Sequence, residues 1–93
     1  MQYYMIEWEN EEPDEPWRVL QELTDRGNPR RRIEVYRVGM QNAAEAPEEE
    51  LPPMDPRDIA GEDGNVISIT RFQFEDMWEQ SRQVPTSFMD LYY

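Results

Sequence analysis

Carboxylates are the only plentiful reactive side chains in this 93-residue chain, which has 21 acidic residues, 9 basic residues and a formal net charge of −12. Carboxylate catalysis needs an acid and a base held across a substrate cleft, and a domain of this size has a thin core with little room for one. The segments "PDEPW" and "GEDGN" also lack the alternating oxygen ligands of a calcium loop. We therefore expect neither an enzyme nor a metal site.

Histidine and cysteine are both absent from the sequence. Their absence excludes Ser-His-Asp and Cys-His catalysis, disulfide bonds and the commonest transition-metal ligands. The sequence therefore predicts no catalytic residue, no cofactor-binding residue and no metal ligand. Binding of another molecule is the function that its chemistry leaves open.

The acidic residues are concentrated in two proline-containing segments, "EWENEEPDEPW" (residues 7–17) and "EAPEEELPPMDP" (residues 45–56). Proline stiffens a loop, so the loop loses less entropy when it docks on a partner. Carboxylates beside an exposed aromatic such as Trp17 suit an arginine- or lysine-rich surface. The alternative is that these loops are only a solvated surface. The candidate partner-binding residues are Glu9, Glu11, Glu12, Asp14, Glu15, Trp17, Glu48, Glu49 and Glu50.

The net charge favours a basic protein as partner and disfavours direct binding of nucleic acid or an anionic membrane. The single basic cluster, "RGNPRRR", is expected to pair with carboxylates of the same chain rather than with phosphate. The N-terminal segment lacks the pattern of a secretory signal, and no run of residues reaches the length of a membrane span. These features predict a cytoplasmic protein.

Four short strands are predicted in the first half of the chain. "QYYMIEWE" alternates with period two, and "WRVLQELT" places Trp17, Val19 and Leu23 on one face, although Leu20 on the other face interrupts the alternation. "DRGNPR" is typical of a tight connection, "RRIEVYRV" carries Ile33 and Val35 inward, and "MQNAA" returns as a short fourth strand. Connections this short predict an antiparallel meander.

The second half is predicted to contain a proline-rich surface loop (45–56), one helical turn at "PRDIA", a strand at "VISIT" and a helix over 71–83. Thr70 and Gln73 fit a capping box, and Phe74, Met77 and Trp78 form an apolar helix face. The predicted fold is α+β, a small antiparallel sheet of four or five strands with one C-terminal helix packed on a face. Residues 1–83 form one domain, followed by an apolar tail, residues 84–93. Trp8 and Trp78 are assigned to the core.

The ordered motifs "IEWENEEPDEPW", "QELTDRGNPRRRIEVYRVG", "LPPMDP" and "ISITRFQFEDMWEQ" together resemble an uncharacterised family of short acidic bacterial proteins. That family opens with a V-x-W strand and a D-E-P turn and closes with an I-S-x-x-x-F-x-x-x-W helix. Similar proteins are often encoded beside polymorphic toxins and act as immunity proteins. The resemblance implies that function here, without catalytic residues to carry over. The long "EAPEEELPP" loop and the apolar tail depart from the family pattern.

Three functional hypotheses follow. The first is an immunity protein that neutralises a cognate basic toxin by blocking its active cleft. The second is a phage-derived nucleic-acid mimic, which would need carboxylates in two rows at phosphate-like spacing to occupy a DNA-binding protein. The third is a non-catalytic module that forms homo-oligomers through the tail from Phe88 to Tyr93.

Overall fold

A computed structural model of the chain describes residues 1–9 and 11–83. The strands are β1 (Gln2–Glu7), β2 (Arg18–Leu23), β3 (Pro29–Val35), β4 (Gln41–Glu45), β5 (Asn65–Ser68) and β6 (Arg82–Gln83). The helices are α1 (Pro56–Ala60) and α2 (Arg71–Gln80). The predicted α+β class is confirmed: an antiparallel sheet carries one longer helix near the C-terminal end. The predicted tail, residues 84–93, lies outside the described residues.

The strands form one sheet in the order β5-β1-β2-β3-β4-β6. The first four make the predicted antiparallel meander, and β5 adds antiparallel to β1. Strand β6 pairs parallel to β4 at the opposite edge. The chain therefore crosses the sheet twice, first through the proline-rich loop and α1, then through α2.

Helix α2 ends at Gln80, three residues before its predicted end. Ser81 adopts an extended conformation, with ψ at 149°, and its hydroxyl donates a 2.6 Å hydrogen bond to the carbonyl of Met77. This hydroxyl satisfies a carbonyl of the last turn, and the chain continues as β6. A sixth strand thus replaces the predicted last helical turn. No helix of the described part of the chain is long and apolar enough to cross a membrane.

The main core lies between the sheet and α2, on what we call the helix face. Phe74 is fully buried there with Leu20, Ile33, Val35 and Ala43. Met77 and Trp78 are half-buried and pack against the same cluster, as predicted. The capping box is also confirmed, because Thr70 Oγ1 accepts from the Gln73 N–H at 3.2 Å and Gln73 Oε1 accepts from the Thr70 N–H at 2.8 Å.

The opposite surface of the sheet, the loop face, is covered by the proline-rich segment and α1. Leu51 is buried with Ala44 and Ala46, and its carbonyl accepts a 2.8 Å hydrogen bond from the Asn28 side chain. The predicted proline-rich surface loop therefore also contributes buried residues, Ala46, Leu51 and Pro56. Both faces of β2 are covered, so Val19 and Leu20 are buried on opposite sides, as the interrupted alternation at Leu20 indicated. The predicted grouping of Trp17 with Val19 and Leu23 is wrong, because Trp17 packs on the helix face with Leu20.

Candidate functional site

The two acidic segments lie at opposite ends of the sheet. The pair Glu7 and Arg18 marks one end of the β1–β2 ladder, and the first acidic segment lies beyond it. The pair Arg31 and Glu45 marks the other end, and the chain continues from there into the second acidic segment. The candidate carboxylates of both segments are exposed: Glu9, Glu11, Glu12, Asp14, Glu15, Glu48, Glu49 and Glu50. The predicted acidic residues therefore form two separate surfaces.

A third segment adds charge to the first of these surfaces. Asn65 at the start of β5 pairs with Glu7, so the turn before β5 lies beside the first acidic segment. This turn contributes the exposed residues Glu62 and Asp63. We call the carboxylates gathered here the acidic end: Glu9, Glu11, Glu12, Asp14, Glu15, Glu62 and Asp63. Sequence reasoning missed the last two, because the only signal was the turn "GEDGN" and the strand partner of β5 was unknown.

A cleft of about 920 Å³ opens at the acidic end. Glu9 and Glu15 from the first acidic segment line it together with Asp63 from the turn before β5. Arg32 and Glu34 reach it from β3. The remaining lining residues are Trp8, Pro16 and Asn65. The fold therefore brings chain segments more than fifty residues apart to a single cavity.

Trp8 is a fixed wall of this cleft. Its ring Nε1 donates a 2.9 Å hydrogen bond to the carbonyl of Ala60, and its backbone N–H donates to the carbonyl of Trp17 at 2.9 Å. Gly64 leaves the necessary space, because a Cβ there would lie 2.6 Å from the Ala60 oxygen and 2.7 Å from Trp8 Nε1. The half-buried Trp8 ring thus contributes both to packing and to the surface of the cleft.

The charge of the cleft is predominantly negative. Four carboxylates line it against one guanidinium, that of Arg32. Glu34 is only 7% exposed, and the Tyr36 hydroxyl donates a 3.2 Å hydrogen bond to its Oε2. Burial, reinforced by the Glu34 charge, raises the pKa of Tyr36 to about 12. The phenol therefore stays protonated at neutral pH and continues to donate to Glu34.

Trp17 does not lie on the acidic surface as an exposed aromatic, so that expectation is wrong. It is half-buried and packs against the core of the helix face, whereas the cleft opens on the loop face. The Arg18 and Arg37 guanidinium carbons lie 4.1 and 4.8 Å from its ring centroid. The backbone N–H of Trp17 also donates a hydrogen bond to the Val35 carbonyl. A role for Trp17 in partner binding stays a prediction.

The family of the chain can be stated at this point. The model of a domain of unknown function, DUF6881, matches residues 2–83. The chain belongs to the DUF6881 family. The match extends from the first residue of β1 to the last residue of β6, and it includes every residue that lines the cleft. No curated protein and no solved structure matches the chain. The similarity to immunity proteins stays a prediction.

A second group of charges in this DUF6881 domain lies under α2. Arg31 donates to Glu22 through Nε and Nη2, each at 2.7 Å, and also to Glu75 of the helix. The Arg31 hydrogen bonds hold the pKa of Glu75 below its usual range, and burial followed by a hydrogen bond with Glu22 raises the pKa of Tyr3. The predicted internal pairing of the basic cluster is therefore confirmed for Arg31.

This network links β2, β3 and α2. Both Glu22 oxygens accept from the Arg31 guanidinium and Glu22 is only 5% exposed, so little of this carboxylate is open to a substrate. Among the described residues of the DUF6881 domain, no group of three or more acidic side chains is placed to hold a metal ion. The acidic cleft is therefore the best candidate for a functional site.

Proposed function

We propose that this DUF6881 protein is a non-catalytic inhibitor that binds a basic protein through its acidic end, with a cognate bacterial toxin as the partner. The observation that carries the proposal is the cleft itself. Carboxylates from two distant segments, Glu9 and Glu15 from one and Asp63 from the other, surround a cavity beside the anchored ring of Trp8. The immunity role rests on the family resemblance of the sequence motifs.

Electrostatics favours this use of the cleft. A cleft with low-dielectric walls focuses the field of its charges, which raises the encounter rate with an oppositely charged partner. An arginine or lysine of the partner can lie over the Trp8 ring while a carboxylate pairs with its charge. The Arg32 guanidinium reaches the cleft from β3 and repels a second cation. We therefore expect the partner's arginine or lysine to bind at the rim of the cleft, close to Asp63, rather than deep inside.

The nucleic-acid mimic hypothesis receives less support. Mimicry needs carboxylates in continuous rows, whereas the candidate carboxylates are divided between opposite ends of the sheet. The exposed residues Glu48, Glu49 and Glu50 follow β4 at the opposite end of the sheet and do not line the cleft. They therefore serve as a control surface for the binding experiment.

The test uses two variants that remove the same amount of charge. One is Glu9→Gln/Glu15→Gln/Asp63→Asn at the cleft, and the other is Glu48→Gln/Glu49→Gln/Glu50→Gln at the opposite end. Each changes the net charge from −12 to −9. Tagged parent protein is first used to capture its partner from the native host for identification by mass spectrometry. The purified partner is then titrated with the parent and with both variants.

We expect inhibition of the partner to be complete at a fixed stoichiometry. The cleft variant should bind at least about tenfold more weakly, chiefly through slower association, while the opposite-end variant binds close to the parent level. Equal weakening by both variants would show that only the overall charge matters. Unchanged binding by the cleft variant would place the interface elsewhere.

A further inference from the structure

Strand β5 is an edge of the sheet with hydrogen-bonding groups directed away from the protein. The Ile69 N–H donates to the Tyr3 carbonyl, which fixes the phase of the β1–β5 ladder. In an antiparallel pair such bonds recur at every second residue, so Ile67 and Asn65 also face β1. Val66 and Ser68 therefore direct their backbone N–H and C=O groups outward, and no other described strand lies beyond β5.

This β5 edge lacks most of the features that usually protect sheet edges. The residues "NVIS" include no charged side chain and no proline, and β1 and β5 pair in continuous register without a bulge. Ile67 on the helix face is 41% exposed although it is a large apolar residue. Within the described part of the chain, the protective feature that remains is the short length of four residues. Such an edge is suited to pairing with another strand.

We propose that the β5 edge binds the β5 edge of a second copy of this chain in antiparallel orientation. Outward-facing residues must lie opposite each other in the new ladder, and among the registers that satisfy this condition the one that pairs Val66 of one copy with Ser68 of the other uses both outward-facing residues of each β5 strand. Two-fold symmetry repeats this pair, so the edge supplies four backbone hydrogen bonds. The proposal does not rest on the proposed inhibitory function, because it is argued from the backbone of the β5 edge, although Asp63 and Asn65 also line the cleft.

The side chains in this register are complementary to themselves. Ile67 faces Ile67 of the second copy across the symmetry axis, so two exposed apolar side chains become buried together. The same register places Asp63 of one copy near Arg71 of the other, at each end of the shared ladder, and both residues are exposed. Antiparallel pairing also points the two acidic ends in opposite directions, which reduces the repulsion between chains of net charge −12.

The first test is sedimentation velocity of the full chain at concentrations from about 10 μM to 1 mM, since so small an interface is expected to bind weakly. Ser68→Pro removes an outward N–H from each copy, whereas Ser68→Ala retains it. We expect the parent and Ser68→Ala to dimerise alike and Ser68→Pro to associate at least about tenfold more weakly. Ile67→Lys places like charges opposite each other and should weaken association to a similar extent. It is the alternative variant if Ser68→Pro fails to fold.

A charge exchange tests the register. Asp63→Arg should weaken the dimer about three- to tenfold even though it lowers the net negative charge, and Asp63→Arg/Arg71→Asp should restore it. Amide exchange supplies a third readout, because Val66 and Ser68 should gain protection as the concentration rises. A parent that stays monomeric throughout this range would overturn the proposal. So would a dimer that Ser68→Pro and Ile67→Lys leave unchanged, since its interface would then lie on another surface.

Discussion

Arg31 on β3 binds Glu22 on β2 through two hydrogen bonds, from Nε and Nη2 to the two carboxylate oxygens, each 2.7 Å long. The same guanidinium reaches Glu75 on α2 and lies 4.9 Å from the Phe74 ring centroid and 4.8 Å from that of Trp78. One side chain thus connects two strands and the helix that covers them. Glu22 is only 5% exposed, and the Arg31 guanidinium is the charge that compensates its carboxylate.

We expect Arg31→Met to destabilise the fold by about 3 to 5 kcal/mol, because it leaves the buried Glu22 charge without compensation. Glu75→Gln is the matched control: the Glu75 side chain is 35% exposed, and loss of its pairing should cost less than about 1 kcal/mol. The double variant Arg31→Met/Glu22→Leu should recover most of the loss. Urea unfolding measures all three, and equal losses for Arg31→Met and Glu75→Gln would contradict this account.

Among the aromatic residues of α2, truncation of Phe74 rather than of Trp78 should cause the largest loss of folding stability. Phe74 is fully buried, whereas Trp78 is half-buried and stacks on it at a centroid distance of 6.2 Å. Phe74→Ala is expected to cost about 3 to 5 kcal/mol, and Trp78→Ala roughly 2 kcal/mol because part of the ring is already in water. Denaturant unfolding of both variants gives the order, and a larger loss for Trp78→Ala would show that the ring is more deeply packed.

The raised pKa of Tyr36 predicts that the folded protein loses stability in alkaline solution. Its pKa is raised from the ordinary value of 10.0 to about 12 in the folded protein, mainly by burial. A raised pKa contributes stability that is fully present below pH 10 and is lost as the pH rises from 10 to 12, at up to about 1.4 kcal/mol per pH unit.

The free energy of unfolding of the parent should therefore fall relative to that of Tyr36→Phe over this interval. Both proteins are compared by urea titration at pH 8, 10 and 11, so that ionisation of the other tyrosines cancels. A constant difference between parent and variant would mean that Tyr36 titrates at its ordinary pKa.

Gly64→Ala should disturb the wall of the acidic cleft. The new Cβ would lie 2.6 Å from the Ala60 carbonyl oxygen, which accepts the Trp8 ring hydrogen bond. We expect a loss of about 1 to 3 kcal/mol and a shift in tryptophan emission as Trp8 moves. Gly39→Ala is the control for the emission shift. The φ of +91° at Gly39 strains the backbone of this variant, but its new Cβ would meet no atom within 4 Å. An unchanged emission spectrum for Gly64→Ala would show that Trp8 is not anchored in this way.

Local patterns predicted most of the secondary structure. The segments predicted as strands became β1 to β5, glycine-containing turns connected β2 to β3 and β3 to β4, and the Thr70–Gln73 capping box began α2 at the expected residue. These signals depend on residues close in sequence, and the covalent chain keeps those residues together. The end of α2 was less predictable, because pairing of Arg82 with Asn42 on β4 is a contact between distant residues.

The sequence by itself determined the chemistry of this protein: the absence of histidine and cysteine, the excess of carboxylates and the α+β arrangement of its elements. The tertiary structure alone decided where that chemistry lies. It separated Glu48, Glu49 and Glu50 from the first acidic segment, brought Asp63 to the cleft and packed Trp17 against the core of the helix face. The physical reason is strand order. Which strands occupy the edges depends on how much apolar surface the crossing segments bury on each face of the sheet. That burial involves residues distant in sequence, so local patterns do not reveal it.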